Sequence, residues 1–101
     1  MITLNTNLEK KVVLQCLKAS LDEKFFPDWE FNTLFGLSKK EVANIVANWE
    51  HVDISDENIQ LAINNAFTNL LGYPHGQEKI LESLLGISCE ELAKMFDEIR
   101  K

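Results

Sequence analysis

A chain of 101 residues has room for one hydrophobic core and none for a second. With 46% hydrophobic residues it can build that core without disulfides or a structural metal. Sixteen carboxylates against ten lysines and arginines give a formal charge of −6. That field repels phosphate backbones and anionic lipid and favours a basic macromolecule as partner, although it also serves simply to keep a small domain dissolved.

Met1 to Lys11 holds no apolar stretch between a basic start and a small-residue cleavage site, so no secretory signal is read and the cytosol is the expected compartment. Cys16 and Cys89 lack CxxC spacing, which in a cytosolic chain predicts two free thiols rather than a bridge or a zinc site.

In chain order, Met1 to Asn7 reads as extended, and the first helix is predicted from about Leu8 to Leu21 with Val13, Leu14, Leu17 and Leu21 on one face. Phe25-Phe26-Pro27-Asp28-Trp29-Glu30-Phe31 then sets four aromatics around a proline that suits a helix start, predicting a short helix from Asp28 to Phe35. Gly36 supplies a left-handed stop, and Ser38 with Glu41 forms a capping box for a third helix. Val42, Ile45, Val46 and Trp49 are its predicted buried face.

Ser55 is the predicted cap of a fourth helix, Asp56 to Leu71, closed by Gly72. Ile59, Ala62, Ile63, Ala66, Phe67, Leu70 and Leu71 fit its helical period, with Leu61 on the opposite side. No Asp, Glu, Lys or Arg occurs from Asn58 to Gln77, so this helix is expected to be the hub, touched on two sides. It is not a membrane span, because Asn58, Gln60, Asn64, Asn65 and Asn69 would need partners in lipid and Pro74 interrupts the run. A fifth helix, Gln77 to Leu85, stops at Gly86; Ser88 with Glu91 opens a sixth, with Leu92, Met95, Phe96 and Ile99 buried.

Leu34 to Ala43 echoes Leu84 to Ala93 fifty residues on, which reads as one helix-Gly-cap-helix solution used twice. No stretch alternates as a strand would. The predicted class is all-α: a compact single-domain bundle of about six short helices over residues 1–101, packed around the central uncharged helix 56–71.

The chemistry-bearing residues are sparse. A thiol enzyme would have to use Cys16 or Cys89 with His51 or His75. Cys16 reads as core, while Cys89 sits at a helix start that favours a thiolate but carries no motif. His51 and Asp53 alone do not make a metal site, and His75 is expected to fix the loop after Pro74 through a backbone carbonyl. No catalytic residue, cofactor or metal is expected. Residues 86 to 96 resemble the opening of a DNA-binding helix-turn-helix, but Glu90, Glu91, Asp97 and Glu98 make that segment acidic and no basic recognition helix follows.

Glu50, Asp53, Asp56 and Glu57 form the densest acidic stretch without an intervening lysine or arginine. Asp56 and Glu57 are explained by a helix first turn; Glu50 and Asp53 are not, and weigh more as contact residues. Asp28 and Glu30 flank Trp29 in a combination that suits an interface anchor, although the expectation is that Trp29 and Phe31 belong to the core. Asn65 and Asn69, four apart, and Asn64 are expected to satisfy the backbone of a neighbouring irregular segment, the Phe25–Phe31 stretch being the candidate.

Phe26-Pro27-Asp28-Trp29-Glu30-Phe31-Asn32-Thr33-Leu34-Phe35-Gly36, followed by Ala62-Ile63-Asn64-Asn65-Ala66-Phe67-Thr68-Asn69-Leu70-Leu71-Gly72-Tyr73-Pro74-His75, resembles the small bacterial immunity proteins that accompany polymorphic and contact-dependent growth inhibition toxins. The likeness covers about half the chain. It implies a cytosolic antidote that binds one cognate toxin domain, often a nuclease, and occludes its active site; from the residues themselves the expectation is a monomer that is not an enzyme, with a basic protein, and neither nucleic acid nor membrane, as partner. The expected contact set is Glu50, Asp53, Asp56 and Glu57, with Asp28, Glu30, Tyr73 and His75 as secondary members. The alternatives are a helix-turn-helix DNA-binding regulator, a small enzyme on Cys89 or His75, and a generic helical protein-interaction module.

Overall fold

Most helix starts and two of the helix ends can be traced to a capping or stop signal in the chain. The computed structural model describes all residues, Met1 to Lys101, as six α-helices and no strand: α1 (Asn7–Ser20), α2 (Asp28–Phe35), α3 (Lys39–Ala47), α4 (Glu57–Gly72), α5 (Glu78–Leu85) and α6 (Cys89–Ile99). A single 3₁₀ turn, Trp49–His51, follows α3. The fold is all-α, as the periodicity predicts.

Three helices open with reciprocal capping boxes, Thr6 with Glu9, Ser38 with Glu41 and Ser88 with Glu91. Two close on glycines whose φ values of +70° at Gly36 and +75° at Gly86 would strain any side chain. The fifty-residue echo is therefore a repeated capping solution in fact, set in different surroundings: Leu34 is half-buried and Leu84 is 50% exposed.

The ends of α4 differ from expectation at both termini. Asp56, not Ser55, is the cap, accepting from the backbone N–H groups of Asn58 and Ile59 at 2.9 and 3.3 Å. Ser55 instead donates its hydroxyl and its N–H to Asp53. Gly72 is the last helical residue and is not left-handed; Pro74 ends the helix by holding Tyr73 extended, at φ −75° and ψ 136°. The third helix likewise stops at Ala47, before Trp49, so Val42 is fully buried while Ile45, Val46 and Trp49 are only half covered.

The buried side chains form one cluster, and α4 touches α1, α2 and α6. Ile59, Ala62, Ile63, Ala66, Phe67 and Leu70 are all buried, so the hub reading holds. On α1 the buried face is broader than predicted: Val12, Cys16, Ala19 and Ser20 join Val13 and Leu17, leaving Leu14 and Leu21 half-buried. Phe67 stacks on Phe96 at 4.9 Å, tying the hub to α6.

The N-terminal segment is extended and anchored. The Gln60 amide pairs with both the N–H and the carbonyl of Ile2 and also donates to the Ile54 carbonyl, while the Thr3 N–H donates to the Ile99 carbonyl. One uncharged side chain on α4 thus fastens two loops that have no helical partners of their own.

Candidate functional site

The two segments that carry the family resemblance pack on each other as one unit. α2 runs antiparallel to the C-terminal half of α4: the Tyr73 hydroxyl donates to Glu30 at 2.5 Å, Asn69 donates to the Leu34 carbonyl at 3.0 Å, and Asn65 donates to the Phe35 carbonyl at 2.7 Å. Asn65 and Asn69 therefore satisfy backbone as predicted, but at the C-terminus of α2, where helix carbonyls have no internal partner, rather than in Phe25–Phe31; Asn64 does not, being exposed and donating only to the Asn65 side chain at 3.3 Å. Phe26 meets Phe35 and Tyr73 edge-on, and Phe31 stacks on Phe35 at 4.3 Å.

His75 is a structural ring in this unit. Its side chain is 1% exposed and it meets Phe25 edge-on at 5.1 Å. Nδ1 accepts from the Gln77 N–H at 2.9 Å, so Nε2 carries the proton and donates to the Leu70 carbonyl at 2.8 Å. The expected loop-fixing role is the one it fills, and its burial removes it from any contact surface. Tyr73 is half-buried with its hydroxyl committed to Glu30, whose carboxylate holds the phenol above its ordinary range by accepting its hydrogen bond. Asp28 is ion-paired with Lys39, which holds its carboxyl low.

Trp29 overturns the core expectation. Phe31 is buried, but Trp29 stands 80% exposed on the first turn of α2. Pro27 caps that helix in extended backbone and fixes the phase at which α2 begins, which turns Phe31 and Phe35 inward and position 29 outward.

At the other end of α4 lies the acidic stretch. Glu50, in the 3₁₀ turn, and Glu57, in the first turn of α4, are exposed; neither they nor Asp53 and Asp56 form an ion pair. Two of the four have structural duties: Asp56 is the α4 cap, and Asp53 is held low by its hydrogen bonds from Ser55. Asp53 thus has the local explanation that sequence withheld from it, and Glu50 and Glu57 remain the uncommitted pair. Beside Glu50, a concavity of about 350 Å³ is lined by Leu4, Lys10, Trp49, Val52 and Ile54.

The eight sequence-predicted contact residues do not form one face. From the cap Asp56 to Tyr73, α4 rises by about 25 Å at 1.5 Å per residue. Glu50, Asp53, Asp56 and Glu57 gather at its N-terminal end; Glu30, Tyr73 and His75 are at its C-terminal end, with Asp28 beside Glu30.

The thiols are poorly placed for nucleophilic work. Burial pushes Cys16 far above the ordinary thiol range. Cys89 is half-buried, and partial burial with the nearby Glu82 carboxylate raises its pKa too, against the helix-start expectation of a favoured thiolate. Glu82 accepts the Cys89 N–H at 2.8 Å, so the acid occupies the very end of α6 that would have stabilised an anion. No three His, Cys, Asp or Glu side chains converge as metal ligands, and no helix is long and apolar enough to cross a membrane.

No protein-family model, curated protein or solved structure matches this chain. Its own surface is the guide to function.

Proposed function

We propose that this chain is an inhibitor that binds a basic toxin domain, in the manner of the immunity proteins it resembles, through the acidic edge at the N-terminal end of α4. The observation that carries the reading is four carboxylates within eight residues, Glu50 to Glu57, none of them ion-paired, of which Glu50 lines a concavity that it shares with Leu4, Lys10, Trp49, Val52 and Ile54. An unpaired acidic rim beside an aromatic-lined hollow offers what a basic cleft needs: charge to steer the encounter, and a place to seat one apolar or cationic side chain. A nuclease toxin must itself be basic to hold phosphates, so an acidic protein competes for the same groove and shields its catalytic groups.

Glu50 is the central contact and Glu57 a second; Asp53 and Asp56 contribute field while serving the backbone. The α5–α6 pair offers no comparable support for DNA binding, since the exposed side of α6 carries Glu90, Glu91, Asp97 and Glu98.

The decisive experiment clones the gene immediately upstream and expresses its C-terminal domain with and without this chain. Growth rescue and a stable co-purifying complex are expected. The association rate should fall several-fold between low and physiological salt, where exposed charges are screened beyond about 8 Å, and Glu50→Lys should slow it further. A rate indifferent to both salt and Glu50→Lys, or the absence of an adjacent toxin gene, overturns the reading and leaves a helical interaction module of other specificity.

A further inference from the structure

The concavity beside Glu50 has a neighbour. A second hollow, of about 310 Å³, opens on the other side of the 3₁₀ turn and is lined by Leu14, Lys18, Val46 and Ala47 among others. Trp49 and Glu50 line both, so the turn is a partition between adjoining hollows. The far wall is a single stripe of α1, where Lys10, Leu14 and Lys18 step by four along one face. Together the hollows make one groove between α1 and the segment 46–54.

The floor of the groove is apolar and incompletely covered. Val46 and Trp49 fit the buried period of α3 yet are only half covered, and Leu4, Val52 and Ile54 pack on the core from outside in the same way. Its two rims carry opposite charge. Lys10 and Lys18 stand exposed on the α1 side and Glu50 on the other, and none of the three has an ion-pair partner. Lys18 suits the last turn of α1, where a cation is favoured, whereas Lys10 is a cation near the positive end of that helix and gains nothing there.

We infer that this groove seats one amphipathic helix of the toxin domain. Two of its apolar side chains, a turn or two apart, enter the hollows on either side of Trp49; a cationic flank faces Glu50 and an acidic flank faces Lys10 and Lys18. The inference rests on the toxin-binding reading and names what the toxin presents to that site. Spacing argues for a helix: the rise along α1 sets the hollows between about 6 Å apart, from Lys10 to Leu14, and about 12 Å, from Lys10 to Lys18, which is the span of one to two helical turns. An extended segment would find no strand edge to pair with, because the fold has no strand, whereas a helix arrives with its backbone bonds already made. Charge argues for the two flanks, since rims of opposite sign fix the rotation of the docked helix about its own axis and reject a uniformly basic one. The acidic field then brings the partner in, and the groove holds it.

Binding kinetics between this chain and the purified C-terminal domain encoded by the upstream gene test it. Ala47→Phe fills the second hollow from an exposed position and should speed dissociation about tenfold or more, with association changed by less than about twofold. The double variant Lys10→Glu, Lys18→Glu makes the chain more acidic, so a charge field acting alone predicts tighter binding. The groove predicts faster association but a net loss of affinity of about tenfold, carried by dissociation. Ala93→Phe, on the exposed side of α6, should bind as the unaltered chain does. Circular dichroism should be the same for all of these variants, because every altered side chain is exposed. A complex that is tightened by the double lysine change, is indifferent to Ala47→Phe, or is weakened equally by Ala93→Phe overturns the inference and leaves the acidic-edge reading standing; no complex with the unaltered chain overturns both.

Discussion

His75 shows how little a residue type says about its role until its neighbours are known. Its ring is held by a carbonyl on one side, an N–H on the other and Phe25 at its edge, so His75→Ala should leave both backbone groups unpaired and open a hole beside an aromatic. The expected loss is about 2–4 kcal/mol in urea denaturation; a loss below about 0.5 kcal/mol, the range of an ordinary surface substitution, would contradict the assigned network. Tyr73 makes the complementary case. As the one tyrosine in the chain, it can be titrated directly by ultraviolet difference absorbance, and its midpoint should lie above that of free tyrosine because ionisation would set a phenolate against Glu30. Since the folded value is raised, the contact's contribution to stability is present at neutral pH and is lost as pH rises through that midpoint. Glu30→Gln should bring the midpoint down toward the free value, and a midpoint unmoved by that change would refute the pairing.

At the scale of elements, the short helices are held as much by their ends as by their faces. Ser38 and Ser88 with their reciprocal glutamates keep Glu41 and Glu91 ionised to lower pH than a free glutamate, chiefly through backbone hydrogen bonds at the two serines. Folded values below the unfolded ones mean stability that is full above about pH 4.3 and is lost as pH falls through the depressed values. Urea midpoints should therefore drop on the acid side, and the double variant Glu41→Gln, Glu91→Gln should flatten that drop; an unchanged acid limb would show that the boxes do not contribute to it. Between elements, the amide bridges from α4 to α2 are the joint. Asn65→Leu strands the Phe35 carbonyl and should cost about 1–2 kcal/mol, whereas Asn64→Ala, on the exposed neighbour, should be close to neutral. Equal losses at the two positions in thermal unfolding would sink that distinction.

At the scale of the whole molecule, the fold was largely legible in the chain because its signals are local. Serine caps, left-handed glycines and 3.6-residue periodicity act over three to eight residues, and they marked all six helices, the hub role of α4 and the burial of Cys16. Errors occurred where a boundary depended on competition between adjacent candidates, as with Ser55 and Asp56, or between Gly72 and the Tyr73-Pro74 step. The predicted contact residues fared differently. Proximity in sequence correctly grouped Glu50 to Glu57, but sequence had no means of seeing that Asp28, Glu30 and Tyr73 lie at the far end of a 16-residue helix, or that His75 is enclosed.

Composition and periodicity alone thus determined an acidic, all-helical body with an uncharged central helix, because amphipathic spacing and end-capping are properties of a single segment. Which of the aromatic side chains would face water and which carboxylates would be consumed by backbone were decided only by tertiary packing. The phase at which α2 meets α4 turns Trp29 outward and Phe31 inward, and that angle is fixed by contacts between residues some thirty to forty positions apart.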